Sequence, residues 1–131
     1  MDQRIADQAP KIVLGTVQFG MDYGITNLGG KPSKEAAFAT LEAAWELGVR
    51  QFDTAPGYGS EILLGDFIKA HAIQREVQIL TKVPALGVSS SWEEEMHQSV
   101  SNSISALNIE TLETLFFHHA ADANLLIRYP E

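Results

Sequence analysis

A chain of 131 residues fits one domain, and an apolar share of 45% is enough for an ordinary soluble core, with no apolar run near the roughly 18 residues of a membrane span. The net charge of −8 argues against nucleic acid as a partner, because phosphate backbones call for clustered Lys and Arg. Cysteine is absent, which excludes disulfides and thiolate chemistry and fits a cytoplasmic protein; Met1–Pro10 lacks the apolar segment of a secretory leader.

Strand and helix patterns alternate along the chain. Lys11–Thr16 is a short apolar run ending in Gly15 and Thr16, and it reads as a first strand. Gly24, Asn27, Gly29, Gly30 and Pro32 mark the following stretch as a loop. Ser33 is a good N-cap; Phe38, Leu41 and Trp45 then recur at helical spacing, and Gly48 stands where a helix-ending glycine belongs. Val49–Asp53 reads as a second strand. Ser60 opens a short helix whose Leu64, Phe67 and Ile68 share a face, and Val77–Lys82 reads as a third strand. Ser91 and Glu94 have capping-box spacing. Met96, Val100, Ile104 and Leu107 then form one apolar stripe, with Asn108 ending that helix. Glu113–Phe117 reads as a fourth strand, and Ala120–Tyr129 as the start of another helix. The fold class is therefore α/β: about four parallel strands with alternating helices and right-handed crossovers.

Three of these strands end in a group capable of acid–base chemistry. Asp53, Lys82 and His118 are 29 and 36 residues apart, about one strand–helix unit each. They should share one edge of the sheet, the carboxyl edge, where parallel α/β folds build their sites. Tyr58 sits in the loop after the second strand between Gly57 and Gly59, so the backbone can turn sharply there and swing the phenol over that edge.

On these residues the chain resembles the aldo-keto reductase family. The run Asp53-Thr-Ala-Pro-Gly-Tyr-Gly-Ser-Glu61 is similar to the family signature. Leu14-Gly-Thr-Val-Gln-Phe-Gly20 resembles its first strand and loop, Thr81-Lys82 its third-strand end, and Leu115-Phe-Phe-His118 its fourth strand. The resemblance runs from about Lys11 to Asp122. It implies a partial (β/α)8 barrel spanning residues 1–131, the N-terminal half of the family fold. It implies an NADPH-dependent reduction of an aldehyde, ketone or sugar carbonyl by a tetrad of Asp53, Tyr58, Lys82 and His118.

The chemistry can be argued from the residue types. A phenol, with a pKa of roughly 10, is a poor acid near neutrality, and a nearby ammonium favours its ionised form. Lys82 would serve Tyr58 in this way, Asp53 would hold Lys82, and His118 would orient the carbonyl oxygen. Each of these residues taken singly has an ordinary reading: a strand-end cap for Asp53, a half-buried loop aromatic for Tyr58, a solvated Lys82. Their family order is what gives them a catalytic one.

Other positions stay open. His119 competes with His118, since adjacent strand residues face opposite sides; it would then line a substrate pocket beside Tyr58 and His118. Gly15 and Thr16 either contact the nicotinamide ribose, together with Asp53, or simply make a tight strand-to-loop turn. Phe19, Met21 and Tyr23 either form an apolar wall for substrate or pack the loop. Phe38, Leu41, Trp45, Met96, Val100, Ile104 and Leu107 are expected in the core. His71 and His97 are expected to face solvent, and no metal-ligand cluster is evident.

A complete barrel takes about 250 residues. The chain is therefore expected to be a fragment, with two open sheet edges through which it could self-associate. The phosphate site of such barrels usually follows the seventh and eighth strands, so weak NADPH binding and little turnover are expected of the chain alone. The partners expected are a small carbonyl substrate, no nucleic acid and no membrane. Two other readings remain: a non-catalytic barrel acting as a regulatory subunit, and a half-barrel that pairs with itself or with a separate second half.

Overall fold

The computed structural model describes residues 12–86 and 91–128, with side chains described as far as Leu125. Lys11, where the first strand was expected to begin, and Tyr129–Glu131 lie outside the described residues, as does Met1–Pro10.

Four short strands form one sheet: β1 (Val13–Gly15), β2 (Gln51–Asp53), β3 (Gln78–Val83) and β4 (Thr114–Phe117). Their spatial order follows the chain and every pairing is parallel. The helices are α1 (Val17–Gly20), α2 (Lys34–Glu46), α3 (Glu61–His71), α4 (Trp92–Leu107) and α5 (Ala123–Arg128), with 3-10 turns at Pro56–Tyr58 and Ala120–Asp122. The short α1 stands where the sequence read only as loop; Phe19 anchors it in the core. Among the described residues no helix is long and apolar enough to cross a membrane.

Local chemistry explains the boundaries. Ser33 caps α2 by accepting from the Ala36 amide at 3.2 Å. Asn108 ends α4 in the left-handed conformation, at φ 53°, which Asn tolerates better than most residues. The expected pairing of Ser91 with Glu94 is not what forms. Ser91 makes no side-chain cap bond, and its hydroxyl donates instead to Glu95 Oε1 at 3.1 Å, one helical turn on. Ser60 likewise precedes α3 without capping it, because its hydroxyl is turned inward.

Strand β3 shows how the sheet divides its two faces. Ile79, Thr81 and Val83 are buried beneath the helices, while Gln78, Leu80 and Lys82 are only partly covered on the other face. Phe52 and Ile79 pair in register and join Leu41, Leu64, Phe67, Ile68 and Leu107 in the main core. Phe38 meets Phe67 edge-to-face at 5.6 Å. Of the residues expected in the core, Leu41 and Leu107 are fully buried; Phe38, Trp45, Met96, Val100 and Ile104 are half-buried. Met96 joins a second cluster around Val83, Leu86, Trp92 and Leu125. The strands that end the sheet among the described residues are less covered, with Val13, Leu115 and Phe116 exposed by 41%, 40% and 44%.

Candidate active site

Asp53, Lys82 and His118 come from the carboxyl ends of β2, β3 and β4. Backbone bonds carry the ladder just past the strands: Thr16 N–H donates to the Asp53 carbonyl at 2.9 Å, Thr54 N–H to Leu80 at 2.9 Å, and His118 N–H to Val83 at 3.0 Å. The edge that bears the functional groups is thus tied strand to strand.

Lys82 Nζ donates to both carboxylate oxygens of Asp53, at 2.8 Å each, and to the Thr54 carbonyl at 2.9 Å. An ammonium has three N–H donors, so these contacts occupy all of them. Both side chains are largely shielded, Lys82 more than Asp53. The ammonium also lies over the Tyr58 ring, 5.0 Å from its centroid. In this arrangement Asp53 and the Thr54 carbonyl fix the position of the ammonium beside the ring.

Tyr58 closes the 3-10 turn, with its amide donating to the Ala55 carbonyl at 3.0 Å. Gly59 follows at φ 71°, the left-handed region that glycine adopts without penalty. That sharp reversal presents the phenol over the sheet edge while the chain enters α3. His118 also meets the phenol, edge to its ring at a centroid distance of 5.9 Å. The structure therefore brings together all four residues expected of the tetrad.

The adjacent histidines do not diverge as strand alternation would require. Their rings stack at 5.4 Å and both residues are exposed. Strand β4 ends at Phe117, so the alternation no longer binds the two residues that follow. His118 is the one that meets Tyr58, and His119 lies immediately beyond it. His97 is exposed, as is His71, whose Nε2 sits 3.4 Å from Glu42 Oε1.

Gly15 and Thr16 part ways. Gly15 faces open space, and a Cβ there would meet nothing within 4 Å. Thr16 is fully buried; its hydroxyl donates to the Asp53 carbonyl at 3.0 Å and lies 2.9 Å from Ser60 Oγ, which in turn is 3.1 Å from Thr54 Oγ1. Three buried hydroxyls thus clasp the ends of β1 and β2 to the start of α3. Phe19 is in the core, whereas Met21 and Tyr23 are exposed.

Two supporting features escaped the reading of the sequence. Glu61 is buried and accepts from Thr81 Oγ1 at 2.7 Å and Ser103 Oγ at 3.1 Å, joining α3 to the strand of Lys82 and to α4. Gly20 lies directly against the Tyr58–Ser60 backbone. Both residues stood at the ends of recognised motifs, but nothing local to either reveals its partner.

A parallel strand–helix sheet with a carboxylate, an ammonium, a phenol and an imidazole gathered along its carboxyl edge has the architecture of part of a (β/α)8 barrel. The Aldo/keto reductase family profile matches residues 11–127, and the chain belongs to that family. It is 31% identical over 115 residues to an aldo-keto reductase of Mycolicibacterium paratuberculosis, an alignment covering 88% of this chain and 36% of that protein. Over a shorter stretch of 55 residues it is 46% identical to a D-threo-aldose 1-dehydrogenase of a Pseudomonas species, covering 37% of this chain and 17% of that protein. Among solved structures, an aldo-keto reductase from Pseudomonas aeruginosa superposes with a TM-score of 0.68 at 30% identity, covering 90% of this chain and 48% of that one. The chain thus spans less than half the length of these relatives.

Proposed function

We propose that this chain carries the acid–base half of an NADPH-dependent carbonyl reductase, acting on an aldehyde, ketone or sugar carbonyl. The observation that carries the reading is the Asp53–Lys82 pair held against the Tyr58 ring, with His118 edge to that same ring. Tyr58 is the proton donor in reduction and the base in oxidation. A carbonyl oxygen bound between the phenol and the His118 imidazole would accept a hydrogen bond from each, and the phenolic proton would pass to it as negative charge develops. The Lys82 ammonium favours the phenolate left behind. His119, which stacks on His118, would line the substrate side.

The residues present fit one end of a nicotinamide cofactor. Open space over Gly15, beside the partly exposed Asp53 carboxylate, suits the nicotinamide and its ribose. Gly15 and Asp53 would hold that end, and Thr16 would fix both through its bond to the Asp53 carbonyl. The cofactor supplies the hydride for the carbonyl carbon when bound. The choice of NADPH rests on the family resemblance.

The test is NADPH oxidation with a nitrobenzaldehyde, measured on the chain and on a protein that carries it together with four further strands. Tyr58→Phe should lower kcat by about 10²–10⁴-fold, the usual weight of a positioned proton donor, with cofactor binding unchanged. Full turnover by Tyr58→Phe would refute the assignment.

A second reading is favoured by the exposed Val13 and Phe116 on the terminal strands. Two copies could pair β4 of one with β1 of the other, closing a sheet of eight parallel strands and leaving no edge.

A further inference from the structure

We infer that Gly20 is a positioning residue for the Tyr58 phenol, an inference that rests on the proposed role of Tyr58. A Cβ built on Gly20 would lie 1.8 Å from the Tyr58 carbonyl oxygen and 2.7 Å from both Gly59 C and Ser60 N. Separations under 3.0 Å essentially never occur for a real Cβ, and every atom met here is backbone, which has no rotamer in which to escape. Any side chain at this position must therefore push the 58–60 segment away by about 1 Å or more.

The segment cannot yield without carrying the phenol along. On one side the end of α1 is held by Phe19 in the core. On the other, Ser60 is clasped to Thr16 and Thr54 through buried hydroxyls. Gly59 faces back toward Gly20, where its own Cβ would lie 3.4 Å from the Gly20 carbonyl oxygen. The two glycines let two backbones meet without side chains between them. That contact sets the height of Tyr58 above Lys82 and its distance from His118. A displacement of about 1 Å at a reacting group can cost on the order of 100-fold in rate, because proton transfer depends steeply on alignment.

Gly65 supplies a matched control. A Cβ there would lie 1.9 Å from the Ala106 carbonyl oxygen, an equally severe clash, but at the contact between α3 and α4. Gly20→Ala is expected to lower kcat about 100-fold per folded molecule, with KM within a few-fold of wild type. Gly65→Ala is expected to destabilise the protein while leaving kcat per folded molecule unchanged. A readout independent of turnover is the NMR signal of the His118 ring, which the neighbouring Tyr58 ring shifts. Gly20→Ala should move the His118 and Tyr58 ring resonances and weaken the cross-peaks between them; Gly65→Ala should not. If Gly20→Ala fails to fold, Ser60→Ala, which loosens the same segment by deleting an atom, should move the same resonances. Unchanged His118–Tyr58 cross-peaks in whichever of these two variants folds would overturn the inference. Absence of carbonyl reduction by the wild-type protein that carries this chain with four further strands, the form in which kcat is read, would instead sink the proposed function, and the NMR comparison on the chain would still decide whether Gly20 positions Tyr58.

Discussion

Replacing Glu61 with Ala should be among the most destabilising single changes in the chain, and the structure shows why. The carboxylate is buried and takes two hydrogen bonds, from Thr81 at 2.7 Å and Ser103 at 3.1 Å. Both donors are themselves buried, at 0% and 2% exposure, so water cannot replace the lost acceptor. An orphaned buried hydroxyl costs about 1–3 kcal/mol, so two of them, plus lost packing, put Glu61→Ala at roughly 3–5 kcal/mol. Thr81→Val removes one donor and should cost about 2 kcal/mol, since Glu61 keeps Ser103. The informative quantity is the double variant. Once Glu61 is gone, Thr81→Val removes an orphan instead of creating a loss, so the pair should cost at least about 1 kcal/mol less than the sum of the singles. Glu61→Gln, whose amide can accept from one hydroxyl and donate to the other, should cost only about 1 kcal/mol. Urea unfolding followed by the fluorescence of Trp45 and Trp92 and by circular dichroism supplies all four values. Single effects that add within about 0.3 kcal/mol would refute the linkage, because residues sharing a bond should not behave as independent sites.

Two further outcomes are expected. Glu35, in the first turn of α2, has its carboxyl held below its ordinary 4.5 by the bond to its own backbone N–H and then by the Ser33 hydroxyl. A lowered folded value means stability that is present above the unfolded value and lost as pH falls through the folded one, so the Tm advantage over Glu35→Gln should shrink below about pH 4.5; an advantage that grows in acid would contradict this. Phe116→Lys, placing a charge on the exposed β4 edge, should shift any self-associated species toward monomer in sedimentation velocity. A wild type that is monomeric at every concentration would end the second reading.

The four strands, their parallel alternation with helices, and the tetrad positions were all legible in the chain itself. Apolar periodicity, caps such as Ser33 and Asn108, and the spacing of Asp53, Lys82 and His118 are local or regularly repeated signals. The choice of His118 over His119 rests on the family resemblance of Leu115-Phe-Phe-His118 and not on these signals. They could not show that the two imidazoles stack, because strand alternation had already lapsed at Phe117. They suggested a capping box at Ser91, where the hydroxyl finds Glu95 instead.

What only the tertiary structure decided were contacts between residues distant in the chain. Glu61 meets Ser103 across 42 positions, and Thr16 meets Ser60 across 44. A hydroxyl or carboxylate carries no mark of its partner in one dimension. Gly20 looked like another loop glycine, and its significance is the absence of an atom where another backbone passes. Sequence periodicity records which face of an element is buried, and so it fixed the fold and the row of functional groups. The precise height of a phenol above an ammonium depends on how two backbones pack, which only the folded chain expresses.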